Sequence, residues 1–457
     1  MRKRLIAALL VCMCCSAALG EEISLLPGVD LTGLYRQAVR LDLQLQYDEY
    51  MPLGEERVAD LNRLLRHISL RGEAQTAGDT QWERLALRFD GEELFSLTQR
   101  TDSAGVAAVA SPTDLAWLQP AGSEVSVLPE AGDPLIGMNG TEWQWYEDLT
   151  ALVSVTLQDW EEQIKTRKGT NTVVGGYGTT KLVRTLTIAK ADTEAWQAYL
   201  REHCPEGELR RLLREVTLSG KQTVTMYTLE DGTLRRLAYT GNAAATDGTT
   251  RKVTLIWRTE HTDTRLRDDI SFKTPATKGK NRDTVKLSRD QKLTEEGQVQ
   301  LSLTASHDAV RGKQRTQRGV ELNLTGSGGA LNGECTLTRK LSGDLESDEE
   351  LRLTPDVRVE DGALCGTVAW NALTGGELSS AGRAEVRLES VQPDWQMPQG
   401  VPALTEEAAQ AAQETMTLAI ASALVRRAAL LPEEDTLFFS RGLSEWPEIV
   451  RRARELQ

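Results

Sequence analysis

The residue types that do chemistry are all present in this chain, but their spacing assembles no recognisable apparatus. Four histidines, His67, His203, His261 and His307, lie far apart, and none belongs to an HxH or HExxH motif or shares a helical face with a second ligand. His203 and Cys204 are adjacent, and adjacent residues on a helix point about 100° apart, so a thiol–imidazole couple needs partners from elsewhere. Gly175-Gly176-Tyr177-Gly178-Thr179-Thr180 lacks the Gly-Lys-Ser/Thr ending of a phosphate loop and the strand-turn-helix setting of a dinucleotide fingerprint, so it reads as a loop. No G-x-S-x-G elbow or S-x-x-K pair falls where a strand runs into a helix, which removes the ordinary serine hydrolases. The acidic run from Asp344 to Glu350 has no central Gly and terminal Glu of a calcium loop and reads as a solvated turn. The chain is therefore expected not to be an enzyme, with no catalytic, cofactor-binding or metal-ligating residue and no cofactor. One enzymatic alternative stays open, a hydrolase whose two carboxylates are brought together from distant strands.

Ten tryptophans are the remaining chemical oddity, in a chain whose aromatic content is only 5%. Trp82 and Trp257 fall in expected strands, and Trp143 and Trp160 on or beside an expected helix. Their ordinary reading is sheet-helix core. The sharper one makes Trp82, Trp143, Trp160 and Trp257 the lining of an apolar cavity between a curved sheet and a helical lid.

The elements that position these residues are mostly strands. From Val39 to Tyr47 apolar residues alternate strictly, the period of a strand with one wet face. A helix is predicted over 55–66 from Val58, Leu61 and Leu65, with strands from Ile68 and on either side of Gly91. Leu61 to Gly72 matches Leu209 to Gly220 at seven of twelve positions, and each copy follows a strand and a helix and precedes a hairpin. A duplicated strand-helix-meander unit follows, building either two halves of one sheet system or two similar domains. Between the copies, Tyr146, Leu149, Val153, Leu157, Trp160 and Ile164 share one helical stripe, which predicts a helix capping an apolar sheet face. Alternation then recurs at Val253-Leu255-Trp257, Val299-Leu301-Leu303, Val320-Leu322-Leu324, Leu351-Leu353 and Ala384-Val386-Leu388, joined by Gly- and Asp-containing turns that make hairpins. Thr405 caps an Ala-rich helix running to about Ala429, and a short helix from Glu445 to Leu456 closes the chain.

Charge and export signals narrow the function classes. Arg2, Lys3 and Arg4 precede an apolar run from Leu5 to Leu19, which reads as a secretory signal peptide cleaved after Gly20, with lipidation at Cys14 or Cys15 as an alternative. No later run reaches membrane length, so no transmembrane span is expected in the mature chain. Net charge is −14, which disfavours nucleic-acid partners. Residues 263–318 hold 13 Lys or Arg against eight acids, and residues 341–362 hold eight acids against two Arg. Two solvated faces is the plainer reading, and an anionic-ligand patch the sharper one. Beyond the signal segment only Cys204, Cys335 and Cys365 remain. Three unpaired thiols is the plainer reading, and Cys335 with Cys365 is the one plausible bridge.

These readings divide the chain into a signal peptide (1–20), a first strand-helix-meander unit with its capping helix (21–170), a second copy (171–280), an antiparallel β meander (281–392) and C-terminal helices (393–457). The expected class is α+β, predominantly antiparallel β, with curved one-sided sheets, half-barrel-like meanders, covering helices and a C-terminal helical segment. One-sided sheets, helices over the dry face and export together resemble the LolA-like, RseB-type family of extracytoplasmic lipoprotein carriers and sensors. The resemblance is architectural, extends over about residues 30–275 and implies a half-barrel with an apolar concave face that accepts acyl chains. The functional expectation is a non-catalytic extracytoplasmic module, associated with the cell envelope, that binds a lipid or an envelope protein. A structural or assembly protein of the envelope, using strand edges for β-augmentation, is the alternative.

Overall fold

The computed structural model describes residues 38–51, 55–77, 80–113, 115–120, 152, 155–156, 158–172, 176–204, 217–244, 250–274, 282–344, 346–392, 396–397 and 401–431. Among them the chain forms nineteen strands and three α-helices, so it is nearly all antiparallel β rather than the expected α+β. The reason lies in number: nineteen strands, most of ten to fifteen residues, stand against α1 (Glu55–Leu65) and α2 (Thr193–His203) of eleven residues each and one helix of 23. Much of the expected capping helix over 146–164, and the short helix from Glu445, lie outside the described residues.

Contacts divide the chain into two compact units. The first comprises residues 133–328 and 333–351 and holds β7 (Lys165–Thr172), β8 (Thr179–Ile188), β9 (Thr217–Thr228), β10 (Leu234–Ala244), β11 (Thr250–Thr262), β12 (Arg265–Thr274), β13 (Arg282–Leu293), β14 (Val299–Arg311) and β15 (Gln314–Ser327). Most of β16 (Ala330–Ser342) and the start of β17 (Ser347–Glu360) also fall in it. From β7 to β15 each strand pairs antiparallel with the next in sequence. Its dry face is built from Met226, Leu237, Trp257 and Ile270, which meet across β9 to β12, and α2 lays Trp196 on Leu186 and Ile188. Thr193, at the start of α2, donates its hydroxyl to the carbonyls of Ala189 and Gly220. Gly220 has φ +67°, a conformation that carries no steric cost without a Cβ.

The second unit comprises residues 28–132, 329–332 and 352–457. Its central strand β1 (Ala38–Tyr50) pairs on one side with β2 (Ile68–Ala77) and on the other with β19 (Glu377–Val391), so that Ala38 faces Val391. From β2 the order continues through β3 (Thr80–Phe89), β4 (Glu92–Asp102), β5 (Gly105–Ser111) and β6 (Leu115–Pro120), and β18 (Ala363–Thr374) flanks β19. The N–H of Leu118 donates to Pro402 O and the N–H of Leu404 to Leu118 O, so a short segment covers the outer edge of β6. Immediately afterwards α3 (Glu406–Ala428) begins at Thr405, whose hydroxyl accepts the N–H of Ala408 as the sequence predicts. Ala409, Ala412 and Met416 of α3 close over Leu97, Ala108, Ala110 and Trp117. The small alanine side chains let the helix backbone lie close to the strands.

Alternation is regular in both units. In β19, Ala384, Val386 and Leu388 are buried while Arg383, Glu385 and Arg387 are exposed. A strand facing lipid has the reverse pattern, apolar residues outward, so these exposed positions do not form a lipid-facing band. No helix among the described residues is long and apolar enough to cross a membrane. Cys335 and Cys365 are not bridged to each other, and the sulfur of Cys365 accepts a hydrogen bond from Arg387.

Candidate functional site

Each of the tryptophans proposed to line a cavity has its own setting. Trp82 lies on β3 of the second unit, half-buried, with the Arg100 guanidinium 5.9 Å from its ring. Trp143 lies outside the described residues. Trp160 and Trp257, both in the first unit, belong to two adjoining clusters that share Ile164 and Val224. Trp160 meets Trp196 edge-on at 5.0 Å and Tyr199 at 5.5 Å. Tyr199 donates its hydroxyl to Asp159 at 2.9 Å, and burial, with the Asp159 carboxylate, pushes its phenol up to about 12. Trp257 is 2% exposed and its indole N–H donates to Asp268 Oδ1 at 3.2 Å.

That last bond leads to a polar island on the dry face of β11 to β13. Register places Thr259, Asp268 and Arg289 opposite one another on successive strands. Their side chains share the face of Trp257 and Ile270, so Asp268 and Arg289 are buried although both are charged. Arg289 Nη2 donates to Asp268 Oδ2 at 2.6 Å and Nε to the same oxygen at 3.2 Å. His261 Nε2 stands 3.0 Å from Asp268 Oδ2, and its ring reaches the surface. A carboxylate engaged by a guanidinium, an indole and an imidazole is saturated. In its Asp–His pair it resembles half of a catalytic triad. No group of three His, Cys, Asp or Glu among the described residues is placed to hold a metal ion.

The opposite face of the same strands has a different character. Tyr227, Arg236, Arg258 and Asp269 are successive cross-strand partners on β9, β10, β11 and β12. Two arginines therefore stand side by side, an arrangement that repels unless something neutralises it. Both are half-buried, and the Nε of each is hidden from solvent without an acceptor among the described residues. Neither makes an ion pair with a described carboxylate. The ring of Tyr227 lies 4.9 Å from the Arg236 guanidinium and supports it by a cation–π contact. Beyond Asp269, Arg267 sits 4.5 Å from the ring of Tyr177. Burial foremost, then Asp269, raise the phenol of Tyr177 well above its ordinary range. Gly176 gives the glycine-rich loop this path, since at φ +80° a Cβ would stand 3.3 Å from Arg267 Nη1. Arg235, on the irregular stretch of β10, reaches Glu260 at 4.0 Å.

In the basic stretch 263–318, read as a solvated face or an anionic-ligand patch, four arginines are paired with carboxylates of the same stretch. Arg265 grips Asp290 at 2.6 and 2.8 Å, Arg315 grips Asp308 at 2.7 and 3.1 Å, and Arg289 is held by Asp268. The unneutralised arginines stand just upstream, at positions whose opposition depends on the register of β10 against β11. Sequence reasoning missed them for that reason.

No protein-family model matches this chain, and no curated protein matches it. Among solved structures it is similar to Wzi of Escherichia coli, an outer-membrane protein involved in group 1 capsule assembly and described as a carbohydrate-binding β-barrel, at 9% identity over 79% of this chain and 86% of that one, with a TM-score of 0.24. A loop-deletion form of OmpT, an outer-membrane protein of Vibrio cholerae, matches at 7% identity over 77% and 97% with a TM-score of 0.22. OccK8 (OprE) of Pseudomonas aeruginosa matches at 9% over 78% and 98% with a TM-score of 0.26. Likeness at this level assigns no function. The expected resemblance to LolA-like, RseB-type carriers is corrected: the solved structures found are outer-membrane proteins, and the described residues are nearly all antiparallel β.

Proposed function

We propose that this chain is a non-catalytic binding protein of the cell envelope and that its binding surface is the outward face of β9 to β12. The observation that carries this reading is the contrast across one set of strands: Asp268, His261 and Arg289 saturate one another on the dry face, while Arg236 and Arg258 stand together unneutralised on the other. Catalysis needs a reactive group left available, and the Asp–His pair is committed to an arginine and an indole instead. Binding needs unsatisfied donors held in place, which the arginine pair supplies. An envelope location rests on the leader-like segment of Arg2 to Leu19.

Native mass spectrometry of the protein purified from an envelope fraction tests the reading. A discrete bound mass, absent from a preparation stripped by unfolding and refolding, is the expected result. A clean unliganded mass, together with turnover of a chromogenic ester or glycoside that His261→Gln abolishes while thermal unfolding is unchanged, would replace binding with hydrolysis.

A further inference from the structure

The type of group this face takes follows from counting donors. We propose that Arg236 and Arg258 hold a tetrahedral oxyanion, a phosphate or sulfate group, between their guanidinium ends. The inference rests on the binding role argued above and names its ligand class. A planar carboxylate takes one guanidinium fork at hydrogen-bond distance, as Asp290 takes Arg265 and Asp308 takes Arg315, and a second arginine stands off at 3.7 Å, as Arg282 does from Asp308 and Arg84 from Glu73. Two forks on neighbouring strands, with Cα atoms about 5 Å apart, need a third and fourth acceptor oxygen on one small group. Phosphate and sulfate present them at the right spacing and bring the negative charge that the pair lacks.

Three further features fit. Both Nε atoms are buried without an acceptor among the described residues, which leaves each with a bond to make. Tyr227 fixes Arg236 from beneath, which limits the freedom that binding would otherwise have to remove. Ala238, next but one to Arg236 and on the same face, lies between Thr225 and Ile256 and leaves space where a larger side chain would stand. Beyond it Thr187, Thr223, Thr240 and Thr254 are cross-strand partners in one row over β8 to β11, a line of hydroxyls for the remainder of a ligand. The net charge of −14 makes this local excess of cations selective rather than general.

Isothermal titration of the full chain with inorganic phosphate, at constant ionic strength balanced by chloride, is the direct test. Saturable one-to-one binding is expected in the wild type, weakened about tenfold or more in both Arg236→Gln and Arg258→Gln, since each removes a charge-assisted hydrogen-bonded fork. Lys292→Gln, on β13 of the same unit, should leave the affinity unchanged. Neither arginine variant removes an ion pair, so thermal unfolding should show both folded as the parent is. Absence of saturable heat in the wild type, or equal affinity in the arginine variants, overturns the proposal. Sedimentation with phosphatidylcholine vesicles, with and without phosphatidate, then separates sources: phosphatidate-dependent binding lost in Arg258→Gln assigns a lipid headgroup, and phosphate binding without vesicle binding assigns a soluble ligand. A co-purified ligand without any acidic group would keep the binding role and remove this site.

Discussion

Two rows of arginines cross the strands of this protein, one in each unit, and they are resolved in opposite ways. In the second unit Glu389, Arg40, Glu73, Arg84 and Glu93 follow one another over β19, β1, β2, β3 and β4, alternating in sign, with closest approaches of 3.6, 2.8, 3.7 and 2.8 Å. Each guanidinium has a carboxylate on either side. In the first unit Tyr227, Arg236, Arg258 and Asp269 occupy a comparable row, and two cations fall next to each other. Alternation of sign makes a row that holds strands in register and asks for nothing more. Adjacent like charges cost stability, and their presence beside a neutralised row of similar make-up points to a use outside the fold.

The largest effect should come where saturation is combined with burial. Asp268→Asn leaves Arg289, whose side chain is 7% exposed, without its counter-charge, and should cost about 3–5 kcal/mol. Urea unfolding measures it; a loss below about 1 kcal/mol would mean that the island is not held by its ion pair. Next, Glu73→Gln turns the second row into a likeness of the first by placing Arg40 and Arg84 across a neutral residue. Glu73 is nearly enclosed, but both arginines are about a third exposed and keep Glu389 and Glu93, so a loss of about 1–2 kcal/mol is expected by the same measurement. No change would show that the row is ornamental to stability.

How much of this was legible in the sequence depends on what local pattern encodes. The period-two runs at Val299-Leu301-Leu303 and Ala384-Val386-Leu388 lie in β14 and β19 with those residues buried, because alternation specifies which side of a strand is dry. Thr405 marks the start of α3 for an equally local reason. The same patterns say nothing of partners. The pairing of β1 with β19 joins the two ends of the described chain, and the opposition of Arg236 to Arg258 exists only in the register of β10 on β11. Asp268 and Arg289 read as part of a solvated basic stretch, yet each sits in phase with Ile270 or Leu287 on the dry face, where only mutual pairing makes their burial tolerable. The glycine-rich loop was legible as a loop, but Tyr177 resting on Arg267 was not. Helical content was overestimated because a strand meander and a helix-covered sheet share the same one-sided alternation.

A smaller effect should reverse the comparison. Arg236→Glu gives the first row the alternation of the second, Glu beside Arg258 beside Asp269, at the loss of the contact with Tyr227. The fold should gain about 0.2–1 kcal/mol while phosphate binding disappears. Stability and binding moving in opposite directions separates a ligand site from a merely tolerated repulsion; a variant that is destabilised and still binds phosphate contradicts the account of this row.

The smallest effect lies at Asp308, which presents the inverse case of one carboxylate attended by two arginines, Arg315 at 2.7 Å and Arg282 at 3.7 Å. The hydrogen bond from Arg315 is the main reason its pKa is held below the ordinary aspartate value of 3.8; desolvation, next in size, opposes it, and the charges of Arg315, Arg282 and His307 add to the lowering. A carboxylate depressed in the fold binds its proton more readily when unfolded. Its contribution to stability is therefore complete above the unfolded pKa of about 4 and is lost as pH falls from there through the folded value. Comparing unfolding free energies of wild type and Asp308→Asn from pH 6 to pH 2 should show a difference that is constant down to about pH 4 and shrinks below it. Because both partners are largely solvated, the whole difference should be under about 1 kcal/mol. A difference that grows on acidification would mean that Asp308 is strained rather than stabilised by its arginines. Taken with Arg236→Glu, this outcome compares a first-unit carboxylate attended by two arginines with two arginines that share no carboxylate between them.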